Sequence, residues 1–313
     1  MISVSTSVFV HPFGRISTHT ILSYLCVSVC GKTEEDTSST SRILGGSQAE
    51  LGKIPWQLYI QEPQKGAASL IKDGWAVTAA HVVINAEATQ LKMYGGMIDT
   101  DRVAGSPSDV VVMDVKEVII HSGYNNPTPK LNFNNDIALL RLSSRVKLGP
   151  NLRPICLPEV GNRHLEESQL GTVSGWGYTE SRDVSNILKH APIKAYSLND
   201  CKTVPMHPRA KKPMLFDEEN MFCAGTSGRD SCKADSGGPF FVPPLGSGNS
   251  GGQGPYRLKG IVSWGGSRLS DPQFKGYYVN VGNYLEWIQE TIEKVEREEK
   301  ETGPNRKGYT TVS

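Results

Sequence analysis

From about Ile43 to Trp287 the chain alternates short apolar runs with polar, turn-forming clusters. WQLYI, ASLI, WAVTAA, VVVMDVKEVII, DIALLRL, TVSGWG, KGIVSW and YYVNV are rich in Val, Ile and aromatic residues, and Gly, Pro, Asn and Asp separate them. Runs of this length without intervening helical segments predict an antiparallel all-β sandwich or barrel, not alternating βαβ units. The pattern changes once. Within residues 284–300, Leu285, Ile288, Ile292 and Val295 recur at helical spacing and only charges follow, which predicts one C-terminal helix with a fraying end.

Composition narrows the function. The 313 residues hold 33 Lys+Arg against 32 Asp+Glu, a net charge of +1. That balance gives no basic field for a nucleic-acid backbone and no acidic field for basic partners. No run approaches the ~20 apolar residues of a membrane-spanning helix, so a soluble mature chain is expected, with neither nucleic acid nor membrane as partner. Length alone suggests about two domains, but all-β units of roughly 200–250 residues fold as one.

Three segments follow: an N-terminal apolar stretch and linker (1–42), a folded domain (43–290), and a charged helix end with a disordered tail (291–313). The apolar stretch, Ile21 to Val29, reads either as the middle of an untidy signal peptide or as the end of a longer upstream chain. Six cysteines are too few for a disulfide-built miniature, and without a Cys-x-x-Cys or Cys/His cluster they form no zinc module. Asp99 and Asp101 share a Gly-rich loop, but two carboxylates do not make a calcium site. Neither a metal nor another cofactor is expected.

Three strings carry chemistry: Thr78-Ala-Ala-His81, Asp136-Ile-Ala-Leu139 and Asp235-Ser-Gly-Gly238. A serine hydroxyl is a poor nucleophile until an imidazole can take its proton, and the imidazole needs a buried carboxylate to hold its tautomer and its charged form. Asp136 directly precedes an apolar strand, which can bury it. Ser236 precedes two glycines, which allow a tight turn beside a substrate. All seven histidines precede Ser236, so the Ser…Asp…His order of α/β-hydrolases is excluded for this serine.

These strings, with RILGGSQA, PWQ, RPICLP, SGWG, NMFCAG, DSCKADSGGPF, IVSWG and YLEWI, resemble a trypsin-like serine protease domain across residues 43 to about 290. The likeness is greatest to the catalytic region of the complement-initiating proteases, namely subcomponents r and s of the first component and their lectin-pathway relatives. It implies two six-stranded antiparallel β-barrels with a C-terminal helix and an active site between the barrels. It also implies a secreted serine endopeptidase in which Ser236 attacks, His81 moves the proton, Asp136 orients His81, and the N–H groups of Ala234 and Ser236 receive the oxyanion. Asp230, with Ser263, Gly265 and Gly276 around it, would select Arg or Lys. Protein substrates cleaved after these residues and complement-complex partners follow from the same likeness.

A zymogen is implied too. Cleavage after Arg42 would free the amine of Ile43 to pair with Asp235, and disulfides would join Cys30 to Cys156 and Cys201 to Cys223. Two positions depart from the family pattern. Ala234 stands where relatives have glycine; a left-handed backbone there would cost a methyl-bearing residue ~1–2 kcal/mol, and loss of one oxyanion donor costs on the order of 100–1000-fold in rate. Cys232 meets no cysteine in residues 266–275, which leaves it and Cys26 without an assigned mate. A non-catalytic binding protein that keeps the protease fold therefore stands beside the enzyme as a second expectation.

Overall fold

A computed structural model describes residues 30–33, 47–105, 110–125, 132–161, 165–177, 184–203, 214–226, 235–244, 254–265 and 275–302. After the short β1 (Ser47–Gln48), the apolar runs of the first half become β2 (Gln57–Glu62), β3 (Gly66–Lys72), β4 (Trp75–Thr78), β5 (Lys92–Gly95), β6 (Val111–Ile120) and β7 (Ala138–Leu142). They pair antiparallel in the order β2-β3-β4-β7-β6-β5 and close into a barrel, which leaves no strand edge bare. Leu58, Ile60, Leu70, Val77, Met93 and Leu139 are fully buried in its core. Truncating one such leucine to alanine costs about 2–5 kcal/mol.

The second half supplies β8 (Leu170–Gly175), β9 (Lys189–Ala195), β10 (Met221–Gly225), β11 (Pro239–Val242), β12 (Arg257–Gly265) and β13 (Gly276–Asn280). Their order is β9-β10-β13-β12-β11-β8, and β8 pairs back onto β9 to close a second six-stranded barrel, with β1 added on β9. The expected pair of antiparallel barrels is thus present. Strands β5, β9 and β11 do not stand out as apolar runs in the sequence. Two of them have only four residues, and β9 contains Pro192, which cannot donate to a ladder.

Short helices α1 (Ala80–Val83) and α2 (Leu198–Lys202), the long α3 (Leu285–Thr302) and three 3₁₀ turns (Ala88–Gln90, Thr100–Gly105 and Val281–Tyr284) complete the described structure. Helix α3 leaves the second barrel after β13 but lies on the first. Ile288 is buried in the core with Trp287, Ile292 and Val295 packed against it, and the Trp287 ring meets His121 edge-on at 5.0 Å. The charged half does not simply fray, because it has partners. Glu296 takes Lys72 Nζ at 2.7 Å and the Trp75 indole N–H at 3.1 Å, while Glu299 takes Arg141 at 2.6 Å and Lys116 at 3.0 Å.

Two disulfides form, Cys30–Cys156 and Cys201–Cys223. The first closes a separation of 126 residues and the second one of 22. On chain entropy alone these are worth about 5 and about 3 kcal/mol. Cys26 and Cys232 lie outside the described residues.

Candidate active site

The site is built where β4 gives way to α1. Thr78 ends β4, and its hydroxyl donates to the Ala67 carbonyl at 2.7 Å. The first turn of a helix leaves backbone N–H groups without intrahelical acceptors, and α1 gives one of them, from His81, to Asp136 Oδ1 at 2.8 Å. The other carboxylate oxygen, Oδ2, lies 2.7 Å from His81 Nδ1. A carboxylate only accepts, so Nδ1 carries the hydrogen and Nε2 is left as the free base.

Asp136 has no solvent exposure. A buried carboxylate is costly unless its lone pairs are used, and here three donors use them. The third is the Ser263 hydroxyl from β12, which donates to Oδ2 at 2.5 Å and brings in the second barrel. The Ser263 hydroxyl is thus committed to Asp136, while Asp230, beside which Ser263 was expected, lies outside the described residues. On the far side of His81, Gln64 Nε2 donates to the His81 and Val82 carbonyls at 3.2 and 3.0 Å. No string in the sequence pointed to Gln64, because a single glutamine in a polar turn carries no pattern.

Burial disfavours the charged imidazole of His81, but the adjacent Asp136 charge and hydrogen bond outweigh it. The result is a pKa above the ordinary histidine value. The side chain keeps 21% of its exposure, so solvent and a ligand can reach the ring. Phe133 meets it edge-on at 5.9 Å and stacks on Trp264 at 6.1 Å, and Trp264 in turn stacks on Tyr277 at 3.7 Å. This aromatic wall was also not legible as a site feature.

Ser236 comes from the second barrel, in the turn before β11. Its carbonyl accepts from Ala67 N–H at 2.9 Å, and Gly66 is the contact point with α1. A Cβ at Gly66 would stand 2.8 Å from Val82 Cγ1 and 3.3 Å from the Ser236 oxygen. Gly237 has φ +82, and a Cβ there would fall 2.2 Å from both the Ala67 carbonyl oxygen and Thr78 Oγ1. Glycine is therefore required on two counts, backbone and space. Among the described residues no hydrogen bond joins Ser236 to His81; such contacts tighten when substrate binds.

The Asp235 carboxylate is engaged by the segment after β8, its Oδ1 accepting from Gly177 N–H at 2.8 Å. The SGWG string finds its reason here. A Cβ at Gly175 or Gly177 would overlap the Asp235 carboxylate, at 2.0 and 2.4 Å. Gly265 and Gly276 face each other across β12 and β13. Arg42, Ile43, Asp230 and Ala234 lie outside the described residues, so the structure brings together His81, Asp136 and Ser263 and ties the Ser236 backbone to Ala67 on the first barrel.

Two antiparallel barrels, with an aspartate–histidine pair on one and a serine followed by two glycines on the other, define the trypsin class of proteins. Comparison agrees: residues 43–288 match the family described as Trypsin, and the chain belongs to that family. Among curated relatives it is 35% identical over 274 residues to the "Calcium-dependent serine proteinase" of Mesocricetus auratus. It is 37% identical over 277 residues to the "Complement C1s-1 subcomponent" of Mus musculus and 34% over 274 to the "Complement C1s subcomponent" of Rattus norvegicus. Each match covers 86% of this chain but only 38% of the relative's length.

Proposed function

We propose that this chain is a secreted serine endopeptidase of the complement-initiator type, made as a zymogen and cleaving proteins after Arg or Lys. The observation that carries the reading is the His81–Asp136 pair, bonded through both carboxylate oxygens, on the barrel whose Ala67 N–H holds the Ser236 carbonyl. In this reading the Ser236 hydroxyl attacks the scissile carbonyl as His81 Nε2 takes its proton. His81 then returns that proton to the leaving amine. Asp136 holds the tautomer and stabilises the imidazolium, and Ser236 with Ala234 offers N–H groups to the oxyanion.

Asp230 supplies the charge that selects a basic side chain. Cleavage after Arg42 frees the Ile43 amine, whose ordinary pKa near ~8 keeps it charged at neutral pH, to pair with Asp235. The two disulfides support an oxidising compartment and so secretion. No helix among the described residues is long and apolar enough to cross a membrane. The likeness to complement subcomponents supports complement-complex proteins as partners.

A serine-directed organophosphonate tests this directly. The expected result is labelling of Ser236 after cleavage at Arg42 and little before it. An activated chain that neither labels nor cleaves an arginyl ester would overturn the reading. That outcome would favour the binding-protein alternative, for which Ala234 in a glycine position is the specific argument.

A further inference from the structure

Asp136 follows an asparagine-rich arch, residues 132–135, and that arch is not held by its own barrel alone. Asn134 Nδ2 donates to Asp217 Oδ2 at 2.9 Å. Asn134 Oδ1 accepts from Asn220 Nδ2 and from Asn135 N–H, both at 2.9 Å. Asp217 Oδ1 accepts in turn from the N–H groups of Glu219 and Asn220, at 3.1 and 2.9 Å. The bonds close a ring through Asn134, Asp217 and Asn220. Asn135, in the left-handed region at φ 59, is tied down as well: its Nδ2 donates to the Gly123 carbonyl and its Oδ1 accepts from the Tyr284 hydroxyl, both at 3.0 Å.

The ring has a direction. Asp217 can only accept, so it forces the Asn134 amide nitrogen toward itself and the amide oxygen toward Asn220 and the Asn135 N–H. Turning that amide over would set acceptor against acceptor at Asp217 and donor against donor at Asn220 and the Asn135 N–H. The members also come from different barrels. Asn134 lies in the segment that leads into β7, and Asp217 and Asn220 lie in the segment that leads into β10.

We infer that Asp217 is a positioning residue for the proposed reaction. By polarising the ring it locks the arch that carries Asp136 to the barrel that carries Ser236, and so keeps acid, imidazole and hydroxyl in register. The inference rests on the roles given above to His81, Asp136 and Ser236. Asp217 itself touches no reacting atom. Small displacements matter here, since a misplacement of about 1 Å at a reacting group costs on the order of a hundredfold in rate.

The test uses the full activated chain, with competent sites counted by phosphonate titration and folding followed by thermal unfolding. Asp217→Asn is isosteric but sets one amide against another. The paired change Asn134→Asp with Asp217→Asn exchanges donor and acceptor and restores every bond in the ring. The expected result for Asp217→Asn is a kcat per titrated site lower by about tenfold to a hundredfold, with KM within about twofold of the parent. The paired variant, measured on the alkaline side of the acid limb because the moved charge lies near Asp136, regains most of that loss.

A single variant with kcat within about twofold of the parent overturns the inference, as does a paired variant no faster than the single one. So does a loss that vanishes once rates are normalised to titrated sites, because Asp217 would then only support folding. A parent chain that neither cleaves nor labels refutes the proposed function itself, and this inference with it. A parent with normal activity and an indifferent Asp217 refutes the inference alone.

Discussion

Replacing Asp136 by asparagine is the sharpest probe of the site, because the structure predicts two separate consequences. In the parent, Oδ1 accepts from the His81 backbone N–H at 2.8 Å, while Oδ2 accepts from His81 Nδ1 at 2.7 Å and from Ser263 at 2.5 Å. The asparagine amide must point its nitrogen at one of these places. Toward the backbone, it meets an N–H and leaves a buried donor unsatisfied, at about 1–3 kcal/mol of stability. Toward the ring, it donates to Nδ1, which moves the hydrogen to Nε2 and removes the base that Ser236 needs. The wrong tautomer costs about 10⁴ in kcat, equivalent to about 5.4 kcal/mol of barrier.

The charge has its own signature. Burial lowers the His81 pKa, and the Asp136 charge and hydrogen bond more than reverse this. A general base must be neutral, so kcat/KM of the parent rises as pH climbs through a midpoint above the ordinary value of about 6.5. Without the Asp136 charge, burial alone remains and the residual activity of Asp136→Asn turns on below that value. The assay is kcat/KM for an arginyl ester across about pH 5 to 9, per titrated site. A loss of less than about tenfold, or an acid limb that stays where the parent has it, would refute the assignment of Asp136.

Two further outcomes are expected. Gly237→Ala places a methyl group 2.2 Å from the Ala67 carbonyl oxygen at a residue with φ +82, and the backbone term alone is about 1–2 kcal/mol; urea unfolding should give at least that loss, together with loss of phosphonate labelling. Glu296 accepts from Lys72 and Trp75, and although burial opposes it these partners hold its carboxyl below the ordinary range. Its stabilisation is therefore present above a pH of about 4.5 and disappears as pH falls through the folded value. Glu296→Gln should cost about 1–2 kcal/mol near neutral pH, and the gap from the parent should close in acid, as read by urea unfolding at several pH values.

Much of this molecule could be read before any coordinates. Strands with clear apolar runs, such as β2, β4 and β7, follow from their residues, and so does the order of His81, Asp136 and Ser236. The disulfides Cys30–Cys156 and Cys201–Cys223 came through resemblance, and both are present. What escaped is of another kind. Gln64 and Asp217 are single polar residues, and the bond from Ser263 to Asp136 joins positions 127 residues apart, so no periodicity marks where these bonds end. The charged half of α3 looks solvated in sequence because its partners, Lys72, Lys116 and Arg141, lie far away in the chain.

That distance has a consequence for biosynthesis. Glu296 caps Lys72 and Trp75 across more than 220 residues of sequence, 224 in the case of Lys72. A ribosome adding roughly 5–20 residues per second needs about 11–45 s to bridge that gap. For part of this interval, between the synthesis of Leu142 and that of Ser236, every strand of the first barrel and both His81 and Asp136 have been made, the cationic face is bare, and Ser236 has yet to be translated. On the proposed roles a half-finished chain is thus unarmed by its own gene order, and the helix that covers the first barrel is translated only after Ser236.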